Sequence, residues 1–164
     1  VDPTALDDML RETTGPLAVR LADTRAGRVD EVLVVVGDPV MSAGCTSSAW
    51  CRVTLPFFAA RDTFPLPQRL YDPADEVVLA VAVELGVSRS VPQAAAMMTA
   101  AEWTAATRVG HDDLVALSLA LADLADGDWD WRMLAWDGGM VTGPEGGLVT
   151  ATIAAAVEVG VVHR

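Results

Sequence analysis

The sequence predicts an α+β domain, a small antiparallel sheet of about four strands with helices packed mainly on one face. Three observations predict it. Leu114, Leu117, Leu121 and Leu124 recur at helical spacing and form one apolar stripe. Alternation with a period of two appears instead from Ala49 to Leu55 and again through Trp129, Trp131 and Met133. The 164 residues, 52% of them hydrophobic, suffice for one domain over 1–164 with a proper core and argue against disorder.

Residues 3–14 suit a short amphipathic helix, with Leu6, Met9 and Leu10 on one side and Asp7, Asp8, Arg11 and Glu12 on the other. Gly15-Pro16 is expected to end it. Leu17, Val19 and Leu21 then alternate with Ala18, Arg20 and Ala22, and after a polar turn at Ala26-Gly27-Arg28 the run Val32 to Val36 reads as a second strand. That pair predicts a hairpin whose second strand, apolar on both faces, lies deeper in the sheet. Gly37-Asp38-Pro39 closes it. From Ala49 to Leu55 a further strand puts Ala49, Cys51, Val53 and Leu55 on one face and Trp50, Arg52 and Thr54 on the other. Residues 56–71 carry Pro56, Pro65 and Pro67 among Phe57, Phe58, Phe64 and Tyr71, which predicts a long loop with aromatic anchors, of the kind used as a lid or binding wall.

Three helices follow in the expected order. Asp72-Pro73 starts the first, since the carboxylate can cap free N–H groups and Pro at the first helical position loses no needed donor. Gly86 is expected to close it in the left-handed conformation. Ser90 and Gln93 have the spacing of a capping box for a second helix reaching about Val109. Gly110 is read as a break, and Asp112-Asp113 as the start of a third helix carrying the Leu stripe, with Val115 and Leu119 widening its apolar surface so that it is covered on more than one side. Residues 128–136 are expected to form a strand. Gly138-Gly139 and Gly143-Pro144 turn the chain, and residues 145–159 are read as a final Ala-rich helix.

The net charge of -12, with 11 basic residues that are all Arg, disfavours nucleic acid and anionic membrane as partners and favours a basic protein or a cationic ligand. The apolar runs are shorter than a membrane span, and Val1-Asp2-Pro3 lacks the features of a secretory leader, so a cytoplasmic location with Cys45 and Cys51 as free thiols is expected.

Three short segments resemble motifs of known families. Glu84 to Ser90, with Ala82 four residues before Gly86, resembles the turn of a helix-turn-helix module. Such a turn implies a DNA-reading helix after it, yet Pro92 falls inside that helix and no basic residue occurs from Val91 to Thr107, so a plain helix-helix corner is expected. Gly44 to Ser48 resembles the nucleophile segment of ketosynthases, in which a Cys sits at a helix start. The chain is too short for that fold and lacks its His pair. Gly37 to Met41 resembles a piece of the ribokinase-type kinases without their Gly-rich anion hole or catalytic Asp motif.

For metals, Asp126, Asp128, Asp130 and Asp137 have spacings of a calcium loop, but Trp131 replaces the Gly of the sharp turn, so a solvated acidic turn and no metal site is expected. Metal-independent, cofactor-independent chemistry leaves His111 as the acid/base candidate, at the entry to the Leu-striped helix, with its tautomer held by a carboxylate from elsewhere. If Trp50 with Arg52 and Trp131 with Arg132 lie on neighbouring strands, they wall a pocket in which Arg holds an anion and the rings cover an apolar body, with Tyr71 on the lid. The resulting expectation is a small enzyme or binding protein for an apolar or aromatic organic acid, with a pocket between sheet and helices. The alternative is a non-catalytic acidic adaptor or immunity-type protein that meets a basic protein partner. Ala-rich helix faces and apolar edges predict a homodimer under either reading.

Overall fold

A computed structural model describes residues 3–35, 46–62, 64–65, 76–91, 98–127, 132–136, 138–145 and 147–162. Helix α1 (Pro3–Ala22) is followed by β1 (Glu31–Val34), β2 (Ser47–Ala60) and β3 (Val77–Ser90), then helix α2 (Ala100–Ala125), and finally β4 (Arg132–Trp136), β5 (Met140–Glu145) and β6 (Leu148–Val162). The fold is α+β. Its sheet has the order β1-β2-β3-β6-β4, and β5 lies beside β6 as well. Strand β4 pairs with Ala155 to Glu158 and β5 with Leu148 to Thr152, so the two succeed one another along a single edge of β6.

The sheet is mixed, which corrects the antiparallel expectation. Strands β1 and β2 are parallel, with Glu31 opposite Ser48 and Val34 opposite Cys51. Residues 35–46 separate them, about the dozen that a parallel crossover requires and a hairpin does not. Every other pairing is antiparallel.

Helix α1 corrects the predicted stop at Gly15-Pro16 and the predicted hairpin strand at 17–21. It continues through Pro16 to Ala22, because Met9, Leu10, Thr13, Leu17 and Leu21 make one buried stripe along it. A Pro inside a helix costs about 3 kcal/mol, whereas burying Leu17 and Leu21 completely returns about 1.5–3 kcal/mol each. The hydroxyls of Thr13 and Thr14 donate to the carbonyls of Met9 and Arg11 at 2.8 and 2.6 Å, so polar groups near the interrupted turn are satisfied.

Two further predicted helices are strands. Val77 to Ser90 forms β3, and the run from Leu148 forms β6 rather than a terminal helix. Each lies inside the sheet: β3 between β2 and β6, and β6 between β3 and the β4/β5 edge. In β3 both faces are largely buried, which removes the polar alternation that identifies a strand from sequence, whereas β6 buries one face, through Val149, Ala151, Ile153, Ala155 and Val157, and its run of Ala masks the period. The segment that resembles a helix-turn-helix turn is continuous β3, with neither the turn nor the helix-helix corner. Gly86, expected as a left-handed helix cap, is an in-strand residue over which the Trp50 ring lies so closely that a side chain there would collide with it. The Asp72-Pro73 cap falls outside the described residues.

The second and third predicted helices are one. Helix α2 begins at a capping box nine residues beyond the predicted one, where Thr99 accepts from Glu102 N at 3.3 Å and Glu102 accepts from Thr99 N at 2.6 Å. Gly110 does not break it. A Cβ there would lie 2.5 Å from Val141 Cγ1 and 2.9 Å from Val149 Cγ1, so this glycine lets the helix settle onto β5 and β6. Leu117, Leu121 and Leu124 are buried as expected, but Val115 and Leu119 are exposed, so α2 is covered on one side only.

The predicted strand 49–55 is present and longer. It includes Pro56 to Ala60, which the sequence places in the long loop, with a bulge between Val53 and Leu55. Phe57 in β2 stacks on Phe64 with ring centres 6.4 Å apart. Ala49 and Cys51 of β2, Val81 to Val87 at alternate positions of β3, and Ala151, Ile153, Ala155 and Val157 of β6 form one core with the buried stripes of both helices. Both helices therefore cover the same face of the sheet.

Candidate functional site

One concavity lies where β2 begins and β3 ends, under the N-terminal half of α2. It is a cleft of about 460 Å³. One wall is apolar and comes mostly from α2: Met98 before the helix, then Ala105, Ala106 and Val109, with Val91 opposite. The other wall is polar: Arg28 and Asp30 from the turn after α1, Thr46 and Ser47 at the start of β2, and Arg89 and Ser90 at the end of β3.

Local bonds hold the polar wall. Gly27, at φ 73°, takes the left-handed conformation in the turn that follows α1. The Asp30 carboxylate accepts from Thr46 N at 2.7 Å, Ser47 N at 2.9 Å and the Thr46 hydroxyl at 3.1 Å, which ties the entry of β1 to that of β2. Those donors, the Thr46 amide foremost, hold its pKa below the usual carboxylate value. Glu102 is likewise held low, first by the Thr99 backbone N–H and then by its hydroxyl.

Beneath the cleft, Arg89 and Asp113 form a buried two-pronged ion pair between sheet and helix, at 2.8 and 3.0 Å. The same guanidinium donates to Gly27 O at 2.8 Å and so fixes the turn that carries Arg28. Each ionised group of the cleft but one is thus engaged within the chain. Arg28 is exposed at the rim, and none of the ion pairs among the described residues includes it.

The residues singled out from sequence do not gather here. His111 is exposed on α2 and lines neither this cleft nor the groove between the helices. Trp50 is buried on the face of the sheet that carries no helix. Arg52, on that same face, is paired with Glu84 at 2.9 Å. Strand β4, which holds Arg132, is not next to β2: β3 and β6 intervene, a separation of about 14 Å at ordinary strand spacing. The neighbouring-strand arrangement on which a Trp/Arg pocket depended is therefore absent. Trp131, Tyr71 and Cys45 lie outside the described residues, as do Asp128, Asp130 and Asp137 of the acidic turn. No group of metal-ligating side chains occurs among the described residues. Cys51 is no candidate nucleophile, because burial pushes its thiol up to about 12 and keeps it protonated.

Sequence reasoning missed Arg28, Asp30, Arg89 and Asp113. Arg89 and Asp113 are brought together only by the packing of α2 on β3. Thr99 and Glu102, by contrast, carry a legible capping-box spacing that places the start of α2. Among the described residues no helix is long and apolar enough to cross a membrane. No family model matches the chain, and no curated protein matches its sequence.

Proposed function

We propose that this protein binds a small apolar or aromatic organic acid in the cleft between the end of the sheet and α2, with Arg28 taking the anionic group. The observation that carries this reading is the pairing of an apolar helix wall with a guanidinium that has no carboxylate partner among the described residues. Concave, largely apolar sites with a few placed polar groups are the usual form of small-molecule pockets. The carboxylates of the cleft do not compete for Arg28, because Asp30 is engaged by Thr46 and Ser47, Glu102 by Thr99, and Asp113 by Arg89.

Trp103, next in sequence to Glu102 of the cleft and half-exposed, supplies an optical reporter. Titration with naphthalene-2-carboxylate is expected to change its fluorescence saturably, while naphthalene-2-methanol, the same body without the charge, binds at least tenfold more weakly. Equal binding of the two, or of neither, would overturn the reading. A basic protein partner is the second reading, supported by Asp7, Asp8 and Glu12 exposed together on α1. It predicts salt-sensitive capture of a cationic protein that is lost in the Asp7→Asn/Asp8→Asn/Glu12→Gln variant and unaffected by Arg28→Gln.

A further inference from the structure

A second concavity, of about 500 Å³, runs along the outer side of the helix layer between α1 and α2. Its floor is Ala116, buried, and its ridge is Val115 and Leu119, which are 59% and 44% exposed although both are large and apolar. Val19, one turn before Asp23 on α1, adds a third exposed apolar side chain at 64%. Two ion pairs bridge the groove. Arg20 donates to Asp123 at 2.6 and 2.5 Å, and Arg25 approaches Asp112 at 3.1 Å. In both, the cation comes from the α1 side, which also carries Asp23, and the carboxylate comes from α2.

We propose that this groove is a self-association surface, occupied by a second copy of the same chain related by a two-fold axis along the groove. Charge argues for that occupant. Over most of its surface a chain of net charge -12 repels its own kind, and self-association needs a patch where the charges cancel. Here the two Arg offset two of the three carboxylates that line or bridge the groove, Asp23 being the third. A two-fold axis along the groove lays each α1 over the α2 of the other copy. Arg20 and Arg25 then face the partner's Asp123 and the partner's Asp112, while the Val115 and Leu119 ridge of each copy lies against the α1 side of the other. The axis turned across the groove sets Arg against Arg and is disfavoured. A two-fold contact is isologous, so one self-complementary patch suffices. Exposed apolar residues gathered in a groove with polar banks are what such an interface offers.

Sedimentation velocity of the intact chain, from micromolar to several hundred micromolar, tests this. The wild type is expected to pass from monomer to dimer within that range. Val115→Glu/Leu119→Glu, whose sites are exposed and whose circular dichroism should match the wild type, is expected to weaken the dimer at least tenfold. Arg25→Glu is expected to weaken it less, and Arg28→Gln to leave it unchanged, which separates this interface from the ligand cleft. A wild type that is monomeric throughout, or a dimer indifferent to the double substitution, overturns the proposal.

Discussion

One helix forms a wall of both concavities, and the two use charge in opposite ways. The N-terminal half of α2 faces the cleft with Ala105, Ala106 and Val109, and its next turns face the groove with Asp112, Val115 and Leu119. At the cleft the strongest ion pair, Arg89 with Asp113, is buried beneath the floor, and a cation is left over at the rim. At the groove the ion pairs lie at the surface and apolar side chains are left over. A leftover charge calls for a ligand of opposite charge. A leftover apolar ridge calls for another surface.

The contrast can be broken most forcefully at the buried pair. Asp113→Ala leaves the nearly buried Arg89 cation without its carboxylate, and the expected loss is about 3–5 kcal/mol, read from urea denaturation. Asp112→Ala, one residue away but on the groove, is expected to leave the urea midpoint nearly unchanged, because its partner Arg25 is well exposed. Equal effects at the two positions would show that the burial contrast has no energetic meaning.

At the rim, Arg28→Gln is expected to lower affinity for an aromatic carboxylate about ten- to hundredfold, the worth of a charge-assisted hydrogen bond, without changing stability. Calorimetric titration beside a melting curve checks both halves of that statement. Gly110, between the two surfaces, sharpens the picture of how α2 is seated. In an exposed helix Gly→Ala gains about 1 kcal/mol. Here the added methyl meets Val141 and Val149, and Gly110→Ala is expected to cost about 1–3 kcal/mol instead, a change of sign visible in the denaturation midpoint.

The smallest effect is in acid. Asp30 at the cleft is held below its ordinary pKa by the Thr46 and Ser47 donors, and Asp123 at the groove by the hydrogen bond from Arg20. Both carboxyls bind a proton less readily folded than unfolded. Their contributions are therefore complete above the ordinary carboxyl value of about 4 and are lost as pH falls through the depressed folded values. The melting temperature should fall on acidification below about pH 4, and Asp30→Asn should make that fall shallower. An unchanged slope in Asp30→Asn would remove Asp30 from the account.

The elements that could be read from sequence are those with a residue pattern of their own. The stripe Leu117, Leu121 and Leu124 is legible because half-burial writes its period into the residues, and the strands at 49–55 and 132–136 are legible from alternating residue types. Val77 to Ser90 is not, because both of its faces are largely buried and mostly apolar, and Leu148 to Val162 is not, because the small apolar Ala154 and Ala156 stand on its outer face where polar residues would mark the period. The Ala-rich run in β6 even favours a helix locally. The site was less legible still. Arg28 and Arg89 both read as turn residues, and Asp113 as the charged start of a separate helix.

By itself the sequence determined the α+β class, the buried side of the Leu-striped helix and the acidic charge of the surface, all consequences of composition and local period. Tertiary structure alone decided that the two Val- and Ala-rich runs became neighbouring strands, that Pro16 lies within a helix, and that Arg28 stands at the cleft rim without a carboxylate partner among the described residues. Those outcomes depend on which partner occupies the space beside each segment. Hydrogen bonding across a sheet and burial beneath a helix are satisfied between residues far apart in the chain, so no local window of residues contains the answer.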